Sequence, residues 1–423
     1  MLDDADPAAL VELSTMKRKF INFGLALFFI CLCCTGVSAK PLHHYVFFGM
    51  DREKINDKLF LDTPAFEGAQ VAYSWNQLEH GKDEYDFSMI REDLAFLTSH
   101  HKKLWIQIQD VSFSEKYIFV PRYLLRDPQY NGGVDRQYRY QDGDEEHATP
   151  GGWMARRWDP AVQERFRRLL MALGKEFDGR IEGINLAETS CEVGESGRLF
   201  PKGFSFEIYR DAIISNLKAL KRAFPKSTAL QYANFMPGEW ANSKGYLGAV
   251  YKAAQDAKVG VGGPDLLPYK PGQMNNSYHL IKETAGIVPI GIAVQDGNYE
   301  HVNPQTKKRV TISELISFAT EYLKVDYIFW CTEEPYFSNE VAPFLKRLNG
   351  AELRGSQGML ASKLSLRAPR GRSFMKTKEP RQRTNFSDYL ISVCCSDLTS
   401  QRPFRLTKVS VTRARKVRPS LSV

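Results

Sequence analysis

The stretch IEGINLAET, residues 181–189, starts as an apolar strand pattern and ends in polar side chains. Its carboxylate is Glu188, which follows the apolar part directly. A carboxylate at the end of a buried strand is costly to desolvate unless a site uses it. In a barrel of parallel strands, active sites are built at the C-terminal ends of the strands. We therefore interpret Glu188 as a candidate catalytic residue; the alternative is an ordinary solvated loop carboxylate.

Seven other apolar segments resemble a strand in the same way. With the first stretch, the eight segments are residues 45–50, 68–75, 103–110, 181–188, 229–234, 259–265, 288–296 and 327–332. Amphipathic helix patterns separate most of them; one of these helices begins at Asp159-Pro160, an N-cap followed by a proline at the first helical position. This alternation predicts an α/β fold, a single (β/α)8 TIM barrel over residues 40–350. The alternative, a doubly wound open sheet, is disfavoured because no glycine-rich phosphate fingerprint follows the first strand.

The N-terminal 39 residues have the pattern of a secretory signal peptide. The basic run at residues 16–19 precedes an apolar run at residues 20–34, and Val37 and Ala39 stand at positions −3 and −1 of a cleavage site. Residues 1–15 form an upstream extension. We expect a secreted or periplasmic protein that begins at Lys40, with no stable membrane span after cleavage; an uncleaved membrane anchor is the alternative.

The C-terminal residues 351–423 differ in composition from the rest of the chain. They carry sixteen Lys/Arg and four Asp/Glu, a net charge of +12, although the net charge of the whole chain is only +8. The segment lacks periodicity and is rich in Arg, Ser, Pro and Thr, so we expect both terminal extensions to be disordered. Because aromatic residues are not interleaved with these basic residues in the way that a base-stacking surface needs, we expect no nucleic-acid partner; an arm that binds nucleic acid or an anionic surface is the minor alternative.

The cysteine and histidine content argues against metal sites and disulfides in the domain. Only Cys191 and Cys331 fall within residues 40–350, and no CxxC or Cys/His cluster is present. Export would permit a bridge between them, but we interpret both as buried or free thiols. The pair His43-His44 lacks HxH spacing, which makes a metal-dependent barrel hydrolase a weak alternative. We expect no metal and no cofactor.

Polar side chains stand at or just after the ends of seven predicted strands. In a barrel these ends converge on one face, where the residues would form a site; the alternative is that they cap helices and bind water. The residues are Glu79, Gln109, Asp110, Asn185, Glu188, Asn234, Asp265, Gln295, Asp296 and Glu333, and two of the strands also end at Trp75 and Trp330.

The long connection of residues 111–158 follows the third strand, on the same face. A loop of this length inside a compact domain is usually functional or disordered. We interpret it as a cleft wall in which Trp153 or Trp158 offers a flat ring to a sugar. Simple core packing of each tryptophan is the alternative.

The segment QVAYSWNQLE at residues 70–79, followed by YDFS at residues 85–88, resembles the second-strand region of retaining glycoside hydrolases of the large (β/α)8 clan. The resemblance extends over residues 44–348. It implies an acid/base Glu after strand four, matched by Glu188, and a nucleophile after strand seven, where this chain has Asp296 in place of Glu. Glu333 is the alternative second carboxylate. Trp330 is similar to the clan's tryptophan on strand eight, whereas the residue before the acid/base is Ala187 rather than Asn.

The resemblance implies a secreted glycosidase that cleaves O-glycosidic bonds in an oligo- or polysaccharide, by retention if the two carboxyl groups lie about 5–5.5 Å apart. Burial and a neighbouring negative charge would raise the pKa of Glu188, while Asp296 stays ionised. The alternative is a catalytically inert carbohydrate-binding barrel. The expected substrate-binding residues are Trp75, Glu79, Gln109, Asp110, Trp153, Asn185, Asn234, Asp265, Gln295 and Trp330.

Overall fold

The computed structural model describes residues 41–141 and 143–352. The predicted signal segment, residues 1–39, and residues 353–423 of the predicted basic tail lie outside the described residues. Within the described ranges, no helix combines the length and the apolar character that crossing a bilayer requires.

Eight parallel strands close into a barrel, which confirms the predicted fold. Each strand pairs with the next one along the chain, and the last pairs with the first through the register His43↔Tyr327 to Phe47↔Cys331. The strands are β1 (His43–Phe47), β2 (Phe66–Ser74), β3 (Lys103–Gln109), β4 (Gly183–Leu186), β5 (Thr228–Tyr232), β6 (Gly260–Gly263), β7 (Ile290–Val294) and β8 (Tyr327–Cys331).

Helices occupy the connections between the strands and cover the outside of the barrel. The helix Pro160–Phe177 begins where the sequence predicts, because the Asp159 side chain accepts hydrogen bonds from the backbone of Ala161 and Val162. The connection after β1 holds only the short helices Arg52–Asn56 and Lys58–Leu61. Outside the long connection after β3, the remaining helical segments are Trp75–Leu78, Ser88–Ser99, Phe206–Ala223, Tyr246–Ala257, Pro271–Gln273, Met274–Tyr278, His279–Thr284, Ile312–Ser317, Phe318–Leu323, Phe337–Val341 and Ala342–Glu352.

The barrel interior is packed in its middle and open at its C-terminal end. Large side chains such as Tyr45, Trp105 and Phe329 form a buried cluster inside the barrel. Nearer the C-terminal end, β2 contributes Ala72, and Ala187 follows β4. In a barrel of this kind alternate strands fill alternate layers, so small residues on β2 and after β4 leave space on one level. That space is the cavity described below.

The long connection after β3 is an ordered structure rather than an irregular loop. It contains an antiparallel sheet of three strands, Val111–Ser112, Val134–Arg139 and Thr149–Ala155. Short helical turns at Arg122–Arg126, Pro128–Tyr130 and Glu145–His147 complete it. A smaller two-stranded sheet, Glu79–Gly81 with Glu84–Tyr85, follows β2.

Candidate active site

A cavity of 320 Å³ opens at the C-terminal end of the barrel. Four residues of the predicted site line it: Gln109 at the end of β3, Glu188 after β4, and Gln295 and Asp296 after β7. The structure therefore brings together, in one wall, side chains that are up to 187 positions apart in the chain.

The polar residues after β4 to β8 occupy equivalent positions. Each stands two residues beyond the last residue of its strand, so the five side chains are presented at the same level of the barrel: Glu188, Asn234, Asp265, Asp296 and Glu333.

Glu188 is held in the cavity wall with only 7% of its surface exposed. Asn234 Nδ2 donates a hydrogen bond of 2.6 Å to Glu188 Oε2. Burial raises the pKa of Glu188 to about 7, and the negative charge of Asp265 adds to this, whereas the Asn234 hydrogen bond and the positive charge of Arg157 act in the opposite direction. A carboxyl group with this pKa carries a proton for half of the time at neutral pH, as a general acid requires.

The backbone of Glu188 is fixed by a buried arginine. Arg157 Nη1 donates 2.9 Å to the main-chain oxygen of Glu188 and 2.8 Å to the hydroxyl of Tyr209. The Tyr209 hydroxyl in turn donates 3.0 Å to the main-chain oxygen of Thr189. Arg157 also forms a bidentate ion pair with Asp110, at 2.6 and 2.8 Å. Asp110, which the sequence predicted to contact the substrate, therefore anchors Arg157 instead of lining the cavity.

Asp296 is half-buried and shares its surroundings with Cys331 and Glu333; one ligand atom from each of the three lies within 4.8 Å of the others. Burial raises the pKa of Asp296, and the charge of Asp51 adds to this, while a hydrogen bond from the Cys331 thiol and the charge of Lys54 lower it. Glu333 Oε2 accepts a hydrogen bond of 2.9 Å from the backbone of Gly297. Of these two carboxylates, Asp296 lines the cavity and Glu333 does not.

The same three residues are the one group of clustered potential metal donors in residues 41–141 and 143–352. Their chemistry does not match a zinc site, which uses four ligands or three ligands with water and binds a cysteine as thiolate. Burial, followed by the charge of Asp296, raises the pKa of Cys331 well above its usual value, so the thiol keeps its proton. Cys191 and Cys331 are both buried free thiols, as the sequence predicted.

Two predicted residues act on Glu188 rather than lining the cavity. Asn234 orients Glu188, as described above, and Asp265 is 9% exposed and accepts a hydrogen bond of 3.0 Å from Asn298 Nδ2. Because the charge of Asp265 raises the pKa of Glu188, both residues act on the acid rather than forming the cavity surface.

Other predicted residues lie away from the cavity lining. Trp75 is fully buried, and its Nε1 donates 2.7 Å to Glu79 Oε2. Glu79 is also fully buried and is bound by Arg165 Nη2 at 2.6 Å and by the Tyr123 hydroxyl at 2.9 Å. Trp330 is buried as well, and its Nε1 donates 3.1 Å to His44 Nδ1. The bonds of Glu79 thus join the segment after β2 to the helix Pro160–Phe177 and to the long connection, and the bond of Trp330 joins β8 to β1.

The aromatic wall of the cavity is not the one that the sequence predicted. Trp153 lies outside the lining, with the Arg136 guanidinium 4.5 Å from its ring centroid, and Trp158 is buried. The rings that do line the cavity from the long connection include Tyr117 and Phe119, stacked at 6.1 Å with an interplanar angle of 15°. They belong to the connection that the sequence predicted as a cleft wall.

No protein-family profile and no curated protein sequence matches this chain. Solved structures do resemble it. An exo-beta-1,4-mannosidase from Opitutaceae bacterium strain TAV5 has 12% identity and a TM-score of 0.42, over 76% of this chain and 61% of the mannosidase. Xylanase 10B from Thermotoga maritima has 12% identity and a TM-score of 0.40, over 68% of this chain and 82% of the xylanase.

A beta-galactosidase from Bacillus circulans sp. alkalophilus has 10% identity and a TM-score of 0.46, over 70% of this chain and 50% of the galactosidase. The chain thus spans half of the galactosidase and 61% of the mannosidase. These three solved structures are a mannosidase, a xylanase and a galactosidase. At this identity they do not assign an activity to this chain, which has to be argued from its own residues.

Proposed function

We propose that this protein is a glycoside hydrolase that cleaves O-glycosidic bonds in an oligo- or polysaccharide, with Glu188 as the acid/base and Asp296 as the nucleophile. One observation carries the proposal: a buried carboxyl group with a pKa of about 7 lines the same cavity as a second carboxylate. Glycosidic cleavage needs one carboxyl group that gives a proton to the leaving oxygen and one ionised carboxylate that acts at C1.

In the first step, an oxygen of Asp296 forms a bond to C1 of the sugar while the bond from C1 to the leaving oxygen breaks. The leaving oxygen takes the proton of Glu188, which becomes a carboxylate. Asn234 stabilises that carboxylate through its hydrogen bond, and Arg157 through its positive charge. In the second step, Glu188 takes a proton from water, the water oxygen attacks C1, and Asp296 leaves as a carboxylate. The sugar is released with its anomeric configuration retained.

Asp296 is assigned the attacking role because it lines the same cavity as Glu188 and because two groups offset part of the effect of burial, which raises its pKa. The Cys331 thiol donates a hydrogen bond to it, and the charge of Lys54 has the same effect on its pKa. Glu333 instead accepts a hydrogen bond from the backbone of Gly297 and lies outside the cavity lining.

Trapping of the covalent intermediate tests this assignment. Incubation with a panel of 2-deoxy-2-fluoro glycosyl fluorides should add one sugar to the protein, and peptide mass spectrometry should place it on Asp296. The variant Asp296→Asn should remain unlabelled, and Glu333→Gln should be labelled like the wild type. A label on Glu333, or on another residue, would refute the assignment of the nucleophile.

A catalytically inert sugar-binding barrel is the competing function. It predicts that the wild type binds a glycan but hydrolyses none of the glycosides on which it is tested. If a glycoside is hydrolysed, proton NMR of the first product distinguishes retention from inversion, because a retaining enzyme releases the same anomer that it cleaves.

We also propose that the protein is secreted or periplasmic, on the basis of the signal pattern in residues 16–39. Expression with the complete N-terminus in an exporting host should yield a mature chain whose intact mass corresponds to a start at Lys40. Retention of the full chain inside the cell would contradict this proposal.

A further inference from the structure

One amide group in the cavity has no role in the reaction proposed above. Gln107 lies on β3, is 2% exposed, and lines the same cavity as Glu188 and Asp296. Its Oε1 atom is buried and has no hydrogen-bond partner among the described residues. A buried amide oxygen without a partner is unfavourable, and each such group calls for a specific explanation. An occupant of the cavity that completes the hydrogen bonding of Gln107 provides that explanation.

The strands on either side of Gln107 explain why no protein side chain meets its amide. Its register partner on β2 is Ala72, which has no polar group and is too short to reach it. Its register partner on β4 is Asn185, whose oxygen already accepts bonds from Gln70 at 3.0 Å and Trp105 at 2.9 Å. The Asn185 nitrogen donates to a main-chain oxygen. Both ends of the Asn185 amide are thus hydrogen-bonded within the protein. The amide of Gln107, its register partner, is available to bind a ligand.

The hydroxyl group of Tyr232, another residue of the cavity lining, can donate a hydrogen bond. The Tyr232 hydroxyl accepts a hydrogen bond of 3.0 Å from Gln70 Nε2 and still has its own hydrogen to donate. Burial raises the pKa of Tyr232, so the phenol stays neutral. Gln107 and Tyr232 therefore present an acceptor and a donor without a charge. A neutral hydroxyl group, which is both donor and acceptor, fits either of these groups, and neither of the two carries the positive charge that would balance a carboxylate or phosphate.

We propose that Gln107 binds a ring hydroxyl of the sugar that occupies the cavity, and that this bond determines which sugars are accepted. This inference rests on the proposed function and adds a specificity residue to it; Gln107 does not touch the reacting atoms. A site that is built to bind a hydroxyl rejects the analogue that lacks it far more strongly than an apolar pocket discriminates by size. An epimer that directs the hydroxyl away from Gln107 is rejected for the same reason.

The experiment compares the wild type with Gln107→Met, which has a similar length but no amide. Isothermal titration calorimetry measures the binding of methyl glycosides of glucose, galactose, mannose and xylose, and of the monodeoxy derivatives of the sugar that binds best. In the wild type, loss of one particular hydroxyl should weaken binding at least tenfold. The affinity of Gln107→Met for the sugar that binds best should be lower than that of the wild type by the same factor. The variant should bind this sugar and its deoxy derivative with equal affinity.

The proposal is overturned if Gln107→Met still discriminates between these two ligands, or if both proteins bind every sugar equally or none at all. Because the readout is binding, it does not depend on hydrolysis. A wild type that shows the predicted discrimination but cleaves no glycoside would refute the proposed function and leave this inference standing.

Thermal unfolding provides a second test that is independent of any ligand. Gln107→Met removes an amide that has no partner, so its Tm should equal or exceed that of the wild type. A clear fall in Tm would show that the amide is already bonded within the protein, and would overturn the proposal. The control Gln305→Met changes an exposed residue outside the cavity lining and should alter neither the Tm nor sugar binding.

Discussion

Asn234, two residues beyond β5, donates a hydrogen bond of 2.6 Å to the carboxyl group of Glu188, two residues beyond β4. The bond favours the ionised form of Glu188, whereas burial favours the protonated form. The pKa of about 7 is the result of these opposed effects. Glu188 and Asn234 thus follow neighbouring strands of the barrel, and the Asn234 hydrogen bond limits how far burial raises the pKa of Glu188.

Asn234→Ala should raise the pKa of Glu188, because it removes a bond to the charged form. The alkaline limb of the kcat/KM profile should shift to higher pH. At neutral pH, kcat should fall about ten- to a hundredfold, since the carboxylate formed during cleavage loses a charge-assisted hydrogen bond. Asn339→Ala, which changes an exposed residue, is the control. An unshifted alkaline limb would show that the bond does not influence the acid.

Glu188→Gln should stabilise the protein at alkaline pH. The pKa of Glu188 is raised by folding from its usual 4.5 to about 7, so the folded state binds the proton more tightly and the stability of the wild type falls as the pH rises from 4.5 to 7. Gln remains neutral and avoids this loss. At pH 8, the free energy of unfolding should be about 3 kcal/mol higher in the variant.

Urea unfolding at pH 8 and pH 4 measures this difference, which should disappear at pH 4, where Glu188 is protonated in both states. The control Glu283→Gln neutralises an exposed carboxylate and should show no comparable pH dependence. A difference of the same size at both pH values would contradict the raised pKa.

The Arg157–Asp110 pair should behave as a buried ion pair that positions Glu188. Arg157→Met leaves the buried carboxylate of Asp110 without its partner and should lower the free energy of unfolding by about 3–5 kcal/mol. The double variant Asp110→Leu/Arg157→Met should recover much of this stability. Its kcat should remain low, because the main-chain oxygen of Glu188 is no longer bound. Recovery of kcat together with stability would mean that Arg157 has only a structural role.

The Cys331 thiol should lower the pKa of Asp296 through its hydrogen bond. Cys331→Ala removes the donor, so the pKa of Asp296 should rise and the acidic limb of the kcat/KM profile should move to higher pH. Cys331→Ser keeps a donor at the same place and should leave the limb close to that of the wild type. If Cys331→Ala and Cys331→Ser shift the acidic limb equally, the hydrogen bond from Cys331 does not set the pKa of Asp296.

The barrel could be predicted from the sequence because each strand and helix carries a local pattern of apolar residues. Each predicted strand ends later in the chain than the observed one: residues 259–265 correspond to Gly260–Gly263, and residues 181–188 to Gly183–Leu186. The polar residues at their ends lie beyond the hydrogen-bonded ladder, at the rim where side chains face the cavity. Apolar pattern alone does not separate the rim from the strand.

The site was predicted in part, since a polar residue at a strand end looks the same whether it faces a cavity or a buried partner. Glu188 and Asp296 do line the cavity. Glu79 instead forms an ion pair with Arg165, which lies on a helix 86 positions later in the chain. Gln107 stands at the polar end of the predicted third strand, but nothing in the sequence separates it from the other polar residues there, and Arg157 had no signal of its own. Their roles depend on the register of neighbouring strands and on the fold of the long connection after β3.

The most direct test of the central claim, that Glu188 gives its proton to the leaving oxygen, compares two substrates of Glu188→Gln. On a glycoside whose leaving group needs protonation, the variant should lose activity on the order of 10³-fold. On the corresponding 2,4-dinitrophenyl glycoside, which needs no proton, the first step should proceed at close to the wild-type rate. Full activity of the variant on the substrate with the poor leaving group would contradict the account.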